Sequence, residues 1–498
     1  MKKINLLAML ALVSGFIFTA CDEDPEPNNL VTIEGIPATA EIENLGTLGP
    51  VNATITAEDG LASVTVTKDG ESFLEPEFEA NATSLSLEFS YTAEEADADQ
   101  NIVFEFTATD VDGDEETVTH VLSVGEAPEP ETEVVLTSNI TQDVTWTKDK
   151  TYILGGRISV EAGATLTIEP GTVIKGEAGT GPNATALLVA RDAMIMAEGT
   201  AEEPIIFTSV ADEIESGMIA SPNLDPDQNG LWGGVIILGN APISASSSEV
   251  QIEGIPTSDP NGLYGGDDAS DNSGVFSYVS IRHGGSNIGA GNEINGLSLG
   301  GVGSGTTISN VEIVGNQDDG IEWFGGTVNV TNALVWNAGD DGMDTDQSWA
   351  GTMDNFIVVA PTGHCFELDG PEGDVLLNVQ HTFVNGTVVA ATFDEDGEII
   401  RTSDNLINTD DNSGVILKDI FITSISEGQV INRTVDNPNV TFDGVVIDIL
   451  DSTVLGDYIG DADTAPAGIT AGSTGNGADA AVFDGWSWAA VAGGTAGL

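Results

Sequence analysis

The chain has 498 residues, with 81 Asp and Glu against 12 Lys and Arg, a formal charge of −69. So negative a surface repels nucleic acid and anionic polymers, attracts divalent cations and stays soluble in salt. With 40% hydrophobic residues in a patterned order and 60 glycines, the composition excludes a disordered chain and points to a turn-rich β protein.

The first residues, MKKINLLAMLALVSGFIFTAC, combine a basic start (Lys2, Lys3), an apolar run from Leu6 to Phe18 and a small-residue site at Thr19-Ala20. This is the layout of a secretory signal, here residues 1–20, too short to span a membrane as a mature helix. A cysteine directly after small residues resembles a bacterial lipobox, with Phe18 unusual at its head. The resemblance implies cleavage before Cys21 and acylation of its thiol and amine. Several acyl chains suffice for stable anchoring. Residues 21–29 form an acidic tether, DEDPEPNN after the cysteine. Acids at that place resemble the surface-export signal of Bacteroidota lipoproteins, which implies the outer face of the outer membrane. Besides Cys21 the chain has only Cys365. Lipidation of Cys21 leaves no intramolecular disulfide, so the fold must hold by burial and hydrogen bonding.

Residues 30–124 alternate apolar and polar side chains in ATITA, ASVTVT, SLSLEFSYT and NIVFEFTATD, the period of strands with one buried face. The length and turn spacing predict a small immunoglobulin-like β-sandwich. Within it, Asp110-Val111-Asp112-Gly113-Asp114 places alternate acids around a glycine, like half of a calcium loop. It is equally the chemistry of a solvated hairpin turn. Residues 125–132, GEAPEPET, are a stiff, extended linker.

From residue 133 the pattern changes. ILGGRISVEAGATLTIEPGTVIKGEAG has strand pieces of three to five residues between glycine or proline corners, and the idea recurs in SYVSIRHGG, TTISNVEIVGN, TVNVTNALVWNAG and TMDNFIVVAPTG. Three short strands per coil need about 22 residues, and self-similarity at that period signals a solenoid. Such coils bury their inward side chains only by stacking. The repeats align with Val311, Ala333 and Phe356 in register. That alignment puts Asp319, Asp341 and His364 in one column, Gly320, Gly342 and Cys365 in the next, and Ile321, Met343 and Phe366 in an apolar stack. Residues 133–498 are therefore expected to form a parallel β-helix. Phe483, Trp486 and Trp488 are expected to cap its open end, where an uncovered coil is a sheet edge.

NEINGLSLGGVGSGTTISNVEIVGNQDDGIEWFGGTVNV, with YVSIRHGG before it and AGDDGMDTDQSW after it, resembles a group of β-helix surface lipoproteins of Bacteroidota, over roughly residues 145 to 375. ATLTIEPGTVIKGEAG and PIIFTS belong to the same pattern. The resemblance implies the right-handed parallel β-helix of the pectate-lyase-like superfold and a cell-surface location. It implies no established activity.

Three readings account for the repeated Asp-Asp-Gly at Asp318–Gly320 and Asp340–Gly342. The first is hydrolysis. Polygalacturonases, also right-handed β-helices, carry Asn-Thr-Asp, then paired Asp, then Gly-His-Gly on successive coils, followed by Arg-x-Lys. The similar order here is Asn316-Gln317-Asp318, Asp340-Asp341 and Gly363-His364-Cys365, which would make Asp318, Asp340, Asp341 and His364 catalytic. No Arg-x-Lys follows: Arg401 leads into Thr402 and Ser403, and the next base is Lys418. The second is calcium. Carboxylates stacked about 4.8 Å apart repel, and a hard cation bound by Asp319, Asp341 and Asp344, or by Asp110, Asp112 and Asp114, relieves that. No other cofactor is expected. The third is turn chemistry, with Asp accepting from nearby backbone N–H groups and Gly permitting a positive φ; alone, it explains the interval. His283, beside Arg282, is expected to pair with Asp267 or Asp268. Trp323, Trp336 and Trp349 lie 13 apart, not one coil apart, so they predict no sugar-stacking strip.

The reading that joins these features is a lipid-anchored surface protein whose β-helix binds an extended polysaccharide or a surface protein without turnover, like an adhesin. The alternatives are a polysaccharide hydrolase or lyase, and a structural accessory of a surface uptake complex.

Overall fold

The computed structural model describes residues 31–126, 132–288, 294–372, 380–432, 437–460 and 464–498. The signal segment, Cys21, the acidic tether and most of the linker lie outside them. The chain divides between Pro130 and Glu131 into two compact units.

The first unit is a sandwich of two sheets, of three and five strands. Alternation in Ser84–Thr92 and Asn101–Asp110 sends Phe89, Phe104 and Phe106 inward, where their rings meet edge-on. The opening segment serves both sheets. Thr32–Glu34 pairs antiparallel with Thr47–Thr56, and Thr39–Ile42 then pairs parallel with Glu115–Val124. That switch suits an immunoglobulin-like sandwich, because it closes an edge of each sheet with one short stretch.

The second unit is a parallel β-helix. A sheet of sixteen strands forms two of its sides. A sheet of eight forms the other, through Arg157–Val160, Ala186–Val189, Val235–Leu238, Leu297–Gly300, Ile321–Phe324, Met343–Asp346, Phe366–Leu368 and Asn408–Thr409. The expected register holds: Val311 pairs with Ala333 and Ala333 with Phe356, while Ile321 pairs with Met343 and Met343 with Phe366. All six are fully buried. Each coil is thus held by side chains of its neighbours, as stacking requires.

One expectation is corrected. Short strands between glycine or proline corners hold for the early coils, such as Met194–Glu198 and Ile205–Ser209, and again at the last, where Gly444 separates Val440–Asp443 from Val445–Ile447. From Gly274–Arg282 to Val415–Thr423 these two sides fuse into one longer strand, so that Gly274–Arg282 pairs with both short strands before it and Val415–Thr423 with both after it. The bend between the sides is made by single residues at positive φ, stacked coil on coil: Tyr278, Asn310, Asn332, Asn355, Asn385 and Asp419, all between 49° and 61°. Asn and Asp tolerate this left-handed conformation better than other non-glycine residues. The amides also form a ladder. Asn332 Nδ2 donates to Asn310 Oδ1 at 3.0 Å and Asn355 Nδ2 to Asn332 Oδ1 at 2.7 Å.

A second correction concerns the tail. Phe483 and Trp486 do not cover the last coil. They pack on the flank of the helix with Leu334, Ile357 and Val359. The tail runs back across the coils beside the Asn bend. Asn476 donates to Asp419, Asp479 N–H to Asn355 Oδ1, and Trp486 meets Tyr278 edge-on at 5.5 Å. Trp488 lies over the guanidinium of Arg282. Outward apolar side chains at Leu334, Ile357 and Val359 give the tail a surface to bury.

Candidate functional site

The Asp-Asp-Gly corners sit where the chain enters the eight-stranded sheet. Asp319 Oδ1 accepts the N–H of Asp341 at 2.8 Å. One coil on, Asp341 Oδ1 accepts the N–H of His364 and lies 3.0 Å from His364 Nδ1. Each acid therefore satisfies the backbone of the next coil, as turn chemistry expects, but the glycines serve another purpose. Gly320 and Gly342 are not at positive φ. A Cβ on Gly320 would stand 2.4 Å from Val335 Cγ1, and one on Gly342 2.6 Å from Val358 Cγ1. The corner needs glycine for close approach, not for its dihedral.

Past the corner, side chains alternate. Ile321, Met343 and Phe366 point to the core, so the next residues of the same strands, Glu322, Asp344 and Glu367, point away from it in direct register. Ser298 precedes them and Asn408 follows in the same row. Two residues further, Asp346 extends the acid face. Glu322 is 4% exposed. The polar partners are mostly amides: Asn295 Nδ2 donates to Glu322 Oε2, and Asn408 Nδ2 to Glu367 Oε1 at 3.0 Å. His364 is the sole basic group in an ion pair here among the described residues.

Such crowding moves the acids' affinities for protons. Burial first, and neighbouring carboxylates second, hold Asp319, Glu322, Asp344 and Asp346 well above the usual carboxylate range. Glu367 is pushed up to about 8 by burial and by Asp341. For Asp341 burial acts upward too, but its hydrogen bonds with His364 and Glu367 outweigh it and leave the group below its ordinary value. His364 is raised, chiefly by its hydrogen bond to Asp341.

The residues expected to be catalytic divide between two groups, Asp318 and Asp340 with Asp319, and Asp341 and His364 with Glu367. Oxygens of Asp318, Asp319 and Asp340 lie within 4.8 Å of one another, as do ligand atoms of Asp341, His364 and Glu367, and of Asp319, Glu322 and Asp344. The expected grouping of Asp341 with Asp319 and Asp344 around one cation is not the one formed, because His364 draws Asp341 into its own group. Asp346 is expected from sequence as a flank of the Asp319 and Asp341 ladder, whereas Glu367 and Asn295 are not among the expected residues. Glu367 was detectable, two residues beyond Cys365 in the column of Glu322 and Asp344. Asn295 was detectable too: Leu297 pairs with Ile321, so Asn295-Gly296 stands one coil before Asp319-Gly320 in the same columns.

The acids of the first unit do something else. Asp110 Oδ1 accepts from the N–H groups of Asp112, Gly113 and Asp114 at 2.8 to 3.0 Å, which closes the hairpin turn. Among the described residues Asp110, Asp112 and Asp114 form no further three-ligand group.

Beside Asp346 lies a cavity of about 400 Å³ lined by Tyr264, Phe324, Gln347, Glu253 and Glu372. Trp323 and Trp349 stack at 4.6 Å inside the core and present no platform to solvent. His283 does not pair with Asp267 or Asp268. Its Nδ1 lies 2.6 Å from the carbonyl of Gln228, because the fold buries it beside Arg282, whose guanidinium faces Glu312 at 3.8 Å.

No curated protein matches the chain. A solved structure similar to it is the Yersinia enterocolitica family 28 exopolygalacturonase, at 10% identity over 84% of this chain and 86% of that one, with a TM-score of 0.19. A likeness that low transfers no site residue. The family model of the pectate-lyase-like β-helix domain matches residues 138–489, and the chain belongs to that family.

Proposed function

We propose that this is a lipid-anchored outer-membrane protein of the Bacteroidota surface type, whose β-helix binds an extended, uncharged polysaccharide without cleaving it. The observation that carries the reading is the polar row Ser298, Glu322, Asp344, Glu367 and Asn408 on adjacent strands, in which Asp344 and Glu367 are partly exposed and the other three are buried beside them. Carboxylates accept from sugar hydroxyls and amides both donate and accept, so a row across the coils suits a repeating neutral ligand. The charge of −69 disfavours a polyanion. The signal segment, Cys21 and the acidic tether support the anchor, with the sandwich as spacer.

The test is calorimetric titration of the chain lacking residues 1–21 with neutral and acidic polysaccharides. Binding of a neutral polymer, weakened at least tenfold in Glu367→Gln, is expected. No binding across the neutral panel sinks the reading. Replacing Cys21 with Ala should abolish labelling by radioactive palmitate in cells.

A second reading, hydrolysis, is favoured by one arrangement: Asp341 below its ordinary value beside Glu367 raised to about 8, an acid and a base set apart by their surroundings. It predicts release of reducing ends from a bound polymer, lost in Glu367→Gln. Binding without release keeps the non-catalytic reading.

A further inference from the structure

We propose that Asp319, Glu322 and Asp344, with the side-chain oxygen of Asn295, form a site for a hard divalent cation of the calcium class that ties neighbouring coils together. The site shares Glu322 and Asp344 with the proposed glycan-binding row but does not rest on that reading, because cation binding is measured without glycan.

The geometry comes first. One oxygen from each of the three carboxylates lies within 4.8 Å of the other two. Oxygens bound to one calcium ion at 2.3–2.6 Å can be at most about 5 Å apart across it, so a single ion reaches all three. The three residues come from adjacent coils: Glu322 pairs with Asp344 in register, and Asp319 begins the corner before Glu322. A shared ion would therefore join strands that backbone hydrogen bonds already hold parallel.

The second observation concerns unspent oxygens. Asn295 is 2% exposed. Its Nδ2 donates to Glu322 and lies 3.4 Å from Ser298 Oγ, which turns its head group onto the acids. Its Oδ1 is buried and has no hydrogen-bond partner among the described residues, and the same is true of Asp344 Oδ1. Leaving such an oxygen unsatisfied costs about 1–3 kcal/mol. The contrast with nearby acids is informative. Asp341 accepts from His364, and Glu367 accepts from Asn408. Of the buried acceptors without donors, Asp344 Oδ1 belongs to this three-acid group and Asn295 Oδ1 to the amide that donates into it.

Chemistry then selects the ion. The donors are all oxygen, three carboxylates and one amide, with no sulfur or imidazole. That set favours calcium, which accepts irregular oxygen geometry, over magnesium, which demands a near-ideal octahedron, and over zinc or copper, which prefer nitrogen and sulfur. The neighbouring Asp341, His364 and Glu367 group contains an imidazole and is the better place for those softer metals. Among the described residues no lysine or arginine forms an ion pair with Asp319, Glu322 or Asp344.

The experiment uses the chain lacking residues 1–21, stripped with chelator and then titrated with calcium chloride, magnesium chloride or zinc chloride. Calorimetry and thermal unfolding are read in parallel. One calcium per chain and a rise in Tm are expected, with magnesium at least tenfold weaker. Glu322→Gln and Asp344→Asn should each lose both responses. In chelator each should melt no lower than the parent, because it removes one of three mutually repelling acids, which separates loss of the site from failure to fold. Glu395→Gln, an exposed acid elsewhere, should keep both responses. Absence of calcium binding in the parent chain overturns the proposal. So does a calcium response that survives in both site variants, which would put the ion elsewhere on the acidic surface. Loss of the calcium response in both site variants supports the site whether or not neutral-glycan binding is kept, since both side chains also belong to the row.

Discussion

Asp341 and Glu367 show how position in a coil sets the chemistry of a residue. Both are carboxylic acids, and they lie in one group with His364. Asp341 receives the backbone N–H and ring of His364, which favour its charged form. Glu367 is half-buried beside that charge, which disfavours its own. A carboxyl raised in the folded state from 4.5 to about 8 contributes stability that is fully present below pH 4.5 and is lost as pH rises through about 8. Asp319, Glu322, Asp344 and Asp346 are shifted in the same direction. In chelator, the Tm of the parent chain should therefore fall between pH 4.5 and pH 8, and Glu367→Gln should reduce the slope. A Tm that rises across that window would show these acids to be ionised and relieved by some other means.

At the scale of the element, the fused two-sided strand depends on its bend. Asn332 holds φ at 59° and carries the middle of the amide ladder. Valine tolerates the left-handed region poorly and cannot bond to Asn310 or Asn355. Asn332→Val should cost about 2–4 kcal/mol, from left-handed strain of about 1–2 kcal/mol and the lost amide bonds. Asn332→Gly, free of the strain, should cost less. Denaturant unfolding of both variants tests the order, and equal losses would show that the ladder alone matters.

At the scale of the whole β-helix unit, the returning tail is a covering element. Trp486 is fully buried against Tyr278 and the outward apolar row of Leu334, Ile357 and Val359. Ala489 N–H donates to Glu312, which faces the buried Arg282, so the tail also completes that ion pair. Trp486→Ala should cost about 3–5 kcal/mol and release the tail to proteolysis while the β-helix keeps its far-ultraviolet circular dichroism. Loss of the β signal along with the tail would mean that the flank cannot exist uncovered.

Much of this was legible in the residues because a solenoid turns sequence spacing into spatial stacking. Once Val311, Ala333 and Phe356 are aligned, the column of Asp319, Asp341 and His364 and the core stack of Ile321, Met343 and Phe366 follow from the repeat alone. The parallel β-helix and its acid face belong to that part. What only the tertiary structure decided are contacts that cross the repeat. Asn295, one coil before Asp319 in its column, reaches across to Glu322, His283 finds the Gln228 carbonyl, and the tail returns along the flank instead of closing the end. The corner glycines were legible as necessary but not for the right reason, since the distance from Gly320 to Val335 is set by stacked coils and no local dihedral preference encodes it. Periodicity specifies which residues share a column. It does not specify which side chains, each with its own reach and burial, meet across columns.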